Sequence, residues 1–336
     1  MISDCYSYGK IALVREQDLP LVMNTSVIRF KPNIDFAFGF LWAFLNSLIF
    51  KNQIDLMITG GAQPNFGPYH LNRVLILVPP SKAEQEAIAC VLSDTDALIT
   101  SLNKLIAKKR NIKQAAMQQL LTGKQRLEGF GDSSGKFKQT EIGLIPEGWE
   151  VKSLHDICKV NQGLQIAIVE RLTSQVEGSK KYITIQSINS GSFSEYIVNY
   201  SPSVCCKESD VLMTRTGNTG IVVTGVDGVF HNNFFKINFD KGKIDKEYLV
   251  YCLSSNAIRK VILIKAGTST IPDLNHSDFY SIQIAIPLLE EQQAIAKVLS
   301  DMDSEISALE QRRDKTKALK QAMMQELLTG KTRLKS

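Results

Sequence analysis

Residues 84–127 and 291–334 of this chain align without a gap at an offset of 207, and 25 of the 44 positions are identical. Within each copy apolar residues recur at coiled-coil spacing. Leu92, Ile99, Leu102, Ala116 and Leu120 in the first correspond to Leu299, Ile306, Leu309, Met323 and Leu327 in the second, and Thr95 and Met302 fill the intervening position. Each copy is predicted to be one helix of about 38 residues, ~57 Å long at ~1.5 Å per residue. The middle of the seam is poor, because Ile106 matches Arg313, and Lys109 and Lys113 are polar. A chain that repeats so long a helix is built from two like halves.

The charges on the two helices predict how they pair. Glu84 to Asn103 carries four acids and no base, whereas Lys104 to Arg126 carries seven bases and no acid. The second copy has the same polarity. Glu291 to Gln311 has five acids and one base, and Arg312 to Lys335 has eight bases and two acids. Antiparallel packing lays each acidic half on a basic half, and parallel packing sets like on like. An exposed pair contributes only ~0.2–1 kcal/mol, so charge selects the orientation while apolar burial supplies the stability. Such a pair has a twofold axis across its middle and holds a module at either end. That geometry suits two DNA half-sites more than one turn (~34 Å) apart, and it equally suits a coiled coil with no DNA role.

A length of 336 residues suggests about two domains, and 44% hydrophobic residues suffice for real cores. A net charge of +5 permits nucleic acid as a partner without demanding it. The six cysteines (5, 90, 158, 205, 206 and 252) form no Cys-x-x-Cys pair and have no histidine cluster beside them. This predicts reduced thiols in a cytoplasmic protein and no zinc site. No signal peptide is expected, since no basic stretch near the amino end leads into an apolar run. The most apolar stretch, Phe36 to Phe50, is too short for the ~20 residues a bilayer needs, and it predicts a single buried helix.

Around the helices the pattern is mixed. Strands are predicted at Ile11–Val14, Val27–Phe30 and Val74–Val78 in the first part. Further strands are predicted at Tyr182–Ile188, Val211–Met213, Ile221–Thr224, Phe234–Phe239 and Ile282–Ile286, with a helix over Asp245–Ser255. Ser81 and Glu84 have capping-box spacing for the first long helix, and Gly123 is a suitable stop. The fold class is α+β, with two globular modules separated by the two long helices. The boundaries are 1–83 for the first module, 84–127 for its helix, 128–146 for a Gly-, Ser- and Lys-rich linker, 147–290 for the second module and 291–336 for the second helix. The duplication extends weakly upstream. The run before Pro79 matches that before Pro287, and Phe40–Leu45 falls opposite Tyr248–Leu253.

Three motifs together resemble one family. They are the junction Phe137–Val151 (FKQTEIGLIPEGWEV), the paired EQxAIAxVLSD runs and the paired LLTGKxRL runs. In this order and with this duplication the chain resembles the specificity subunits of type I restriction–modification systems. The resemblance implies a subunit without a catalytic centre, in which each target-recognition domain reads half of a bipartite double-stranded DNA sequence. The helices then act as a ruler and dock two methyltransferase subunits. It implies no cofactor in this chain. The methyltransferase partners would use S-adenosylmethionine, and a restriction motor–nuclease partner would use ATP and magnesium. No membrane is implied. About 60 residues from Gly148 to Lys207 have no counterpart in the first module, so the first recognition domain is expected to be N-terminally shortened or completed by another chain.

The residues agree with a non-catalytic role. There is no Asn-Pro-Pro-aromatic or Asp-Pro-Pro-aromatic tetrapeptide. Leu121-Thr122-Gly123-Lys124 lacks the surroundings of a phosphate loop and ends a helix instead of beginning one. His70, His155, His231 and His276 share no metal-binding spacing. The alternatives are a coiled-coil scaffold that assembles partners without reading a full site, and an autonomous methyltransferase, which the missing motifs disfavour.

Candidate DNA contacts fall in the second module. Thr214-Arg215-Thr216-Gly217-Asn218-Thr219-Gly220 is a polar, Gly-flanked turn. In it Arg215 can pair with guanine and Asn218 with adenine, Thr216 and Thr219 can reach phosphates, and Thr214 is a further DNA-contact candidate. The same stretch also fits a plain hairpin. Gly267, Thr268, Ser269 and Thr270 form a second candidate, through amides and hydroxyls that position phosphates. Gln186, Ser187 and Asn189 follow a strand and can face a groove, and Lys180 and Lys181 are candidate phosphate contacts or a solvated loop.

Overall fold

In the computed structural model of the chain, the described residues are 9–24, 27–31, 33–58, 66–131, 135–190, 194–267 and 271–334. The chain divides into two units, each taking half of each long helix. One comprises Met1–Lys108 with Ile306–Ser336, the other Lys109–Glu305. In chain order the first helices are α1 (Phe38–Leu45), α2 (Leu48–Met57), α3 (Pro68–Leu71) and the long α4 (Lys82–Leu120). There follow β1 (Phe137–Thr140), β2 (Gly143–Pro146), β3 (Glu150–Ser153), α5 (Leu154–Ile157), β4 (Cys158–Gln162), β5 (Lys180–Ile183), α6 (Ile185–Ser190) and β6 (Glu195–Ile197). Next come β7 (Cys205–Cys206), β8 (Val211–Thr214), β9 (Val222–Val223), β10 (Gly228–Phe230) and β11 (Phe234–Phe239). The chain ends with α7 (Lys246–Ser254), α8 (Asn256–Lys265), α9 (His276–Tyr280), β12 (Gln283–Ile286) and the long α10 (Leu289–Leu327).

The antiparallel pairing expected from charge is present in each unit. In the first, Lys320 holds Asp96 at 2.6 Å and Arg333 grips Glu84 through two bonds of 2.6 Å. In the second, Lys113 holds Asp303 at 2.5 Å, and Arg126 grips Glu291 through bonds of 2.8 and 2.6 Å. Each pair in one unit is its counterpart in the other shifted by the repeat offset of 207. The seam is better than its sequence suggests. Ile106 is buried in the first unit, and Lys109 meets Glu305 at 2.6 Å in the second, so a polar position is filled by an ion pair.

The shared Glu-Gln dipeptide that opens both repeats has one function in each unit. Its glutamate takes the arginine of the opposing helix. Its glutamine clips the loop that starts the packed short helix. Gln85 accepts from the Ala37 N–H at 2.9 Å and donates to the Pro79 carbonyl at 3.0 Å. Gln292 accepts from the Asp245 N–H at 2.9 Å and donates to the Pro287 carbonyl at 3.0 Å. Half of the expected capping box forms, since the Glu84 N–H donates to Ser81 Oγ at 3.4 Å while the Glu84 carboxylate goes to Arg333. Hydrogen bonds from that guanidinium hold the Glu84 carboxyl below its ordinary 4.5.

In the first unit the apolar stretch is two helices instead of the single one expected. Ser47 breaks it, because its Oγ accepts from the Phe50 N–H and caps α2. Phe40, Ala43, Ile88, Leu92, Met324, Leu327 and Leu328 form the core where α1 meets the long helices. The predicted strands Ile11–Val14, Val27–Phe30 and Val74–Val78 pair with no strand among the described residues. Nor is any helix among these residues long and apolar enough to cross a membrane.

In the second unit one four-stranded sheet has the order β4-β11-β8-β9, all antiparallel. Its strands alternate between two buried faces, which explains the unbroken apolar run Val211-Leu212-Met213. Val211, Met213, Phe235 and Ile237 face the helices, with Trp149, Tyr248, Phe279 and Leu299. Leu212 and Phe234 face the other way, with Ile183 and Phe230. A second sheet has the order β6-β5-β10-β7, with β5 and β10 parallel. The region expected as linker contains the hairpin β1–β2. The strand expected over Tyr182–Ile188 ends at Ile183, because Thr184 and Ser187 exchange hydrogen bonds that start α6.

The repeated Leu-Leu-Thr-Gly ends both long helices in the same way. Gly123 and Gly330 adopt φ of +67° and +71°. A Cβ on Gly330 would meet open space, but one on Gly123 would lie 2.5 Å from the Pro146 ring. Gly330→Ala should therefore cost about 1–2 kcal/mol for the left-handed backbone alone. Gly123→Ala should add about 1–3 kcal/mol of overpacking. Urea denaturation of the two variants, followed by hydrogen exchange of each unit, checks this order, and equal losses would contradict it.

Candidate nucleic-acid interface

The turn between β8 and β9 is a tight, internally bonded loop. Gly217 and Gly220 take φ of +81° and +83°, which lets the chain reverse twice within six residues. Thr214 is buried, and its hydroxyl donates to the Asn218 carbonyl and accepts from the Ile221 N–H. Thr219 is equally buried and donates to the Pro272 carbonyl at 2.9 Å. Both hydroxyls thus face the chain. Only Gly217 and Asn218 at the tip are exposed.

Arg215 sits in the wall of this loop. Its Nε donates to the Leu274 carbonyl at 3.2 Å and its Nη2 to Asp273 at 2.9 Å. The guanidinium lies over the Phe235 ring, 5.4 Å from the centroid. The second Asp273 oxygen accepts from the Thr216 hydroxyl. Backbone bonds run in parallel with these contacts, from the Gly217 N–H to the Pro272 carbonyl and from the Leu274 N–H to the Arg215 carbonyl. The segment 272–274 is therefore a clamp on the turn. Asp273 was not singled out from the sequence. Its sequence signal is the Pro272-Asp273 pair, which closely follows the Gly267–Thr270 candidate.

Other candidates gather beside the clamp. The Asp273 N–H bonds to the Ala266 carbonyl at the end of α8, immediately before Gly267, whose φ is +81°. Ile185, the first residue of α6, lies 3.8 Å from where a Gly217 Cβ would be. Gln186 and Asn189 are exposed on the same short helix, while Ser187 is buried and bonded to Thr184. Lys180 and Lys181 are at the opposite end of β5. Lys180 is paired there with Asp227 at 3.2 Å, and that carboxylate raises the lysine's pKa. Thr268, Ser269 and Thr270 lie outside the described residues. The resulting surface has an exposed amide at the loop tip, two polar side chains on α6 and a glycine backbone, with Arg259 and Lys260 exposed further along α8.

Two segments of the chain, residues 2–114 and 146–319, match the family described as the type I restriction modification DNA specificity domain. The chain belongs to this family. The second match covers the whole clamp and loop surface of the specificity chain. Among curated proteins it is 27% identical over 313 residues to the type I restriction enzyme MjaVIII specificity subunit of Methanocaldococcus jannaschii, covering 88% of this chain and 71% of that one. It is also 27% identical over 336 residues to the putative MjaX specificity subunit of the same organism, covering 98% and 76%. In three dimensions it is similar to the type I restriction–modification S subunit from M. genitalium. The TM-score is 0.56 at 15% identity, over 88% of this chain and 73% of that one, a likeness of fold.

As a specificity-family member the chain is a recognition subunit and not an enzyme. No group of histidine, cysteine or acidic side chains that could hold a metal occurs among the described residues. The cysteines at 90, 158, 205, 206 and 252 are free thiols, and burial raises that of Cys158 to about 12 and that of Cys206 to about 11.

Proposed function

We propose that this chain reads a bipartite DNA site for a type I restriction–modification complex. One half-site falls to the domain at 147–290 and the other to the partial domain at 1–83. The helices over 84–127 and 291–336, with the 128–146 linker, serve as spacer and as the dock for two methyltransferase subunits. Those subunits supply S-adenosylmethionine chemistry, and a restriction subunit adds ATP- and magnesium-dependent translocation and cutting.

The observation that carries this reading is the duplication of one helix-end assembly. The same Glu–Arg bridge, Lys–Asp bridge and glutamine clip are built twice from one repeated sequence. A chain that builds the same assembly twice suits two half-sites, as dimeric DNA readers do with two copies. Within the second domain, Asn218, Gln186 and Asn189 are the proposed base-facing groups. Arg215, Thr216 and the amides around Gly217 and Gly267 shape the loop toward the phosphates, and Lys181 is the proposed outer phosphate contact.

Co-expression with a methyltransferase subunit, followed by competition gel shifts, tests the proposal. The complex should prefer one bipartite sequence over random DNA, and its affinity should fall steeply with salt as phosphate contacts release counterions. Co-purification without sequence preference would favour the scaffold reading instead. Methylation by the chain alone with S-adenosylmethionine would overturn both.

A further inference from the structure

Three connections meet at one end of the β4-β11-β8-β9 sheet. β4 ends at Gln162, opposite Phe235, and β8 ends at Thr214, opposite Phe234, where β11 begins. The loop after β4, residues 163–171, therefore emerges at the same end as the turn that holds Arg215 and Asn218, with residues 231–233 leading into β11 between them. This lead-in is bonded to both neighbours. The Asn233 carbonyl accepts from the Arg215 N–H at 2.7 Å, and the Asn232 carbonyl accepts from the Gln162 side-chain amide at 3.3 Å. The Leu164 N–H donates to the Phe230 carbonyl at 3.0 Å, and a Cβ on Gly163 would run into that same oxygen, so only glycine allows this approach. On its other side the loop is fixed again. Tyr182 donates to the Leu164 carbonyl at 2.7 Å and accepts from the Ile166 N–H at 3.1 Å, while Arg171 donates twice to the Ile166 carbonyl, at 3.0 and 2.8 Å.

Gln165 stands between these anchors with an exposed side chain. Its Oε1 accepts from Asn232 Nδ2 at 3.3 Å. The far end of the Asn232 amide sets the direction of this bond. Asn232 Oδ1 is buried, and no donor reaches it among the described residues. Turning the amide round would bury an NH2 group there without an acceptor, and an orphaned N–H is rarer in folded proteins than an under-satisfied carbonyl oxygen. Asn232 therefore gives its donor to Gln165, Gln165 answers with its oxygen, and the part of the Gln165 amide left over is Nε2, which only donates.

We propose that Gln165 is a specificity-determining residue of this domain, a donor-only reader that selects guanine in the major groove. An unrestrained glutamine amide pairs with adenine because it offers N7 a donor and N6 an acceptor. With its oxygen held by Asn232, Gln165 has no acceptor for the adenine N6 or cytosine N4 amino group, and it suits the two adjacent acceptors of guanine, N7 and O6. Asn232 is the positioning residue that sets this choice. Since Gln165 reads a base only if residues 147–290 bind DNA, its role rests on the proposed function.

In the test the full chain, co-purified with a methyltransferase subunit, is mixed with duplexes of randomised sequence, and the bound DNA is recovered and sequenced. The parent complex should select a bipartite motif. Gln165→Ala should select the same motif except at one base pair, where a preference for guanine of about tenfold is lost. Asn232→Ala releases the glutamine oxygen, so adenine should be accepted beside guanine at that base pair, a gain that a merely structural role would not produce. Gln165→Glu leaves Asn232 in place but turns an acceptor outward, and should move the preference to cytosine. A parent motif that Gln165→Ala leaves unchanged, or an equal loss on every sequence, would overturn Gln165 as a reader and leave the DNA-reading proposal standing. Guanine alone retained by Asn232→Ala, or any guanine preference in Gln165→Glu, would overturn the donor-only assignment. Parent selection of A·T in either orientation at that base pair would place the loop in the minor groove and overturn the choice of guanine. No motif from the parent complex would overturn the DNA-reading proposal, and the role of Gln165 with it.

Discussion

Glu291→Ala is expected to destabilise the second unit by about 3 kcal/mol, the low end for breaking a buried ion pair. The carboxylate is 1% exposed and accepts from three donors, two on Arg126 and the Trp149 indole. Removing it leaves the indole N–H buried without that acceptor and takes two charged hydrogen bonds from the Arg126 guanidinium. Arg126 keeps some contact with water at 23% exposure, which holds the loss near the lower bound. Glu291→Gln should fall between, since an amide oxygen still serves the indole but carries no charge. The loss can be read from Trp149 fluorescence during urea unfolding, in a Trp42→Phe background so that one tryptophan reports. Glu84→Ala should cost the first unit less, because Arg333 is largely in water. A Glu291→Ala midpoint no lower than that of Glu84→Ala would show that the indole and the burial add nothing to the bridge.

Much of this arrangement was legible in the sequence because it is encoded by pattern. The charge polarity of the repeats led to antiparallel pairing, and the Glu–Arg and Lys–Asp bridges occur in each unit as that polarity requires. Phe234–Phe239 and the helix after Asp245 were legible for local reasons, a strand-length β-rich run and an N-cap whose side chain accepts from the Tyr248 N–H. What failed to show in the sequence depends on partners far along the chain. Val74–Val78 has the composition of a strand, but a strand needs a neighbour, and none lies there among the described residues. The break at Ser47 is a side-chain cap competing with an otherwise continuous apolar helix, which hydropathy does not register. Arg215 looked like a free base-reading side chain. Its tie to Asp273 spans 58 residues and is invisible to local reading.

That tie separates two variants that a sequence motif would treat alike. Asn218→Ala should leave folding unchanged, because its exposed side chain is at the loop tip and only its backbone carbonyl supports Thr214. If Asn218 reads a base, the variant should lose about 1–3 kcal/mol of binding to the specific site and nothing on random DNA. Arg215→Ala should lose a comparable amount of specific binding by a different route. Asp273 and the Leu274 carbonyl would lose their donor, the clamp on the turn would loosen, and unfolding of the second unit would shift to lower urea. Asp273→Asn should reproduce part of that loosening without touching the arginine, so a shared loss of specificity in the two variants assigns Arg215 to holding the loop. Loss of specificity in Arg215→Ala with unchanged stability and a normal Asp273→Asn would instead put the guanidinium on the base. Paired gel shifts on specific and random DNA, with urea unfolding of each variant, distinguish these outcomes, and an equal loss on random DNA would remove Asn218 and Arg215 alike from base recognition.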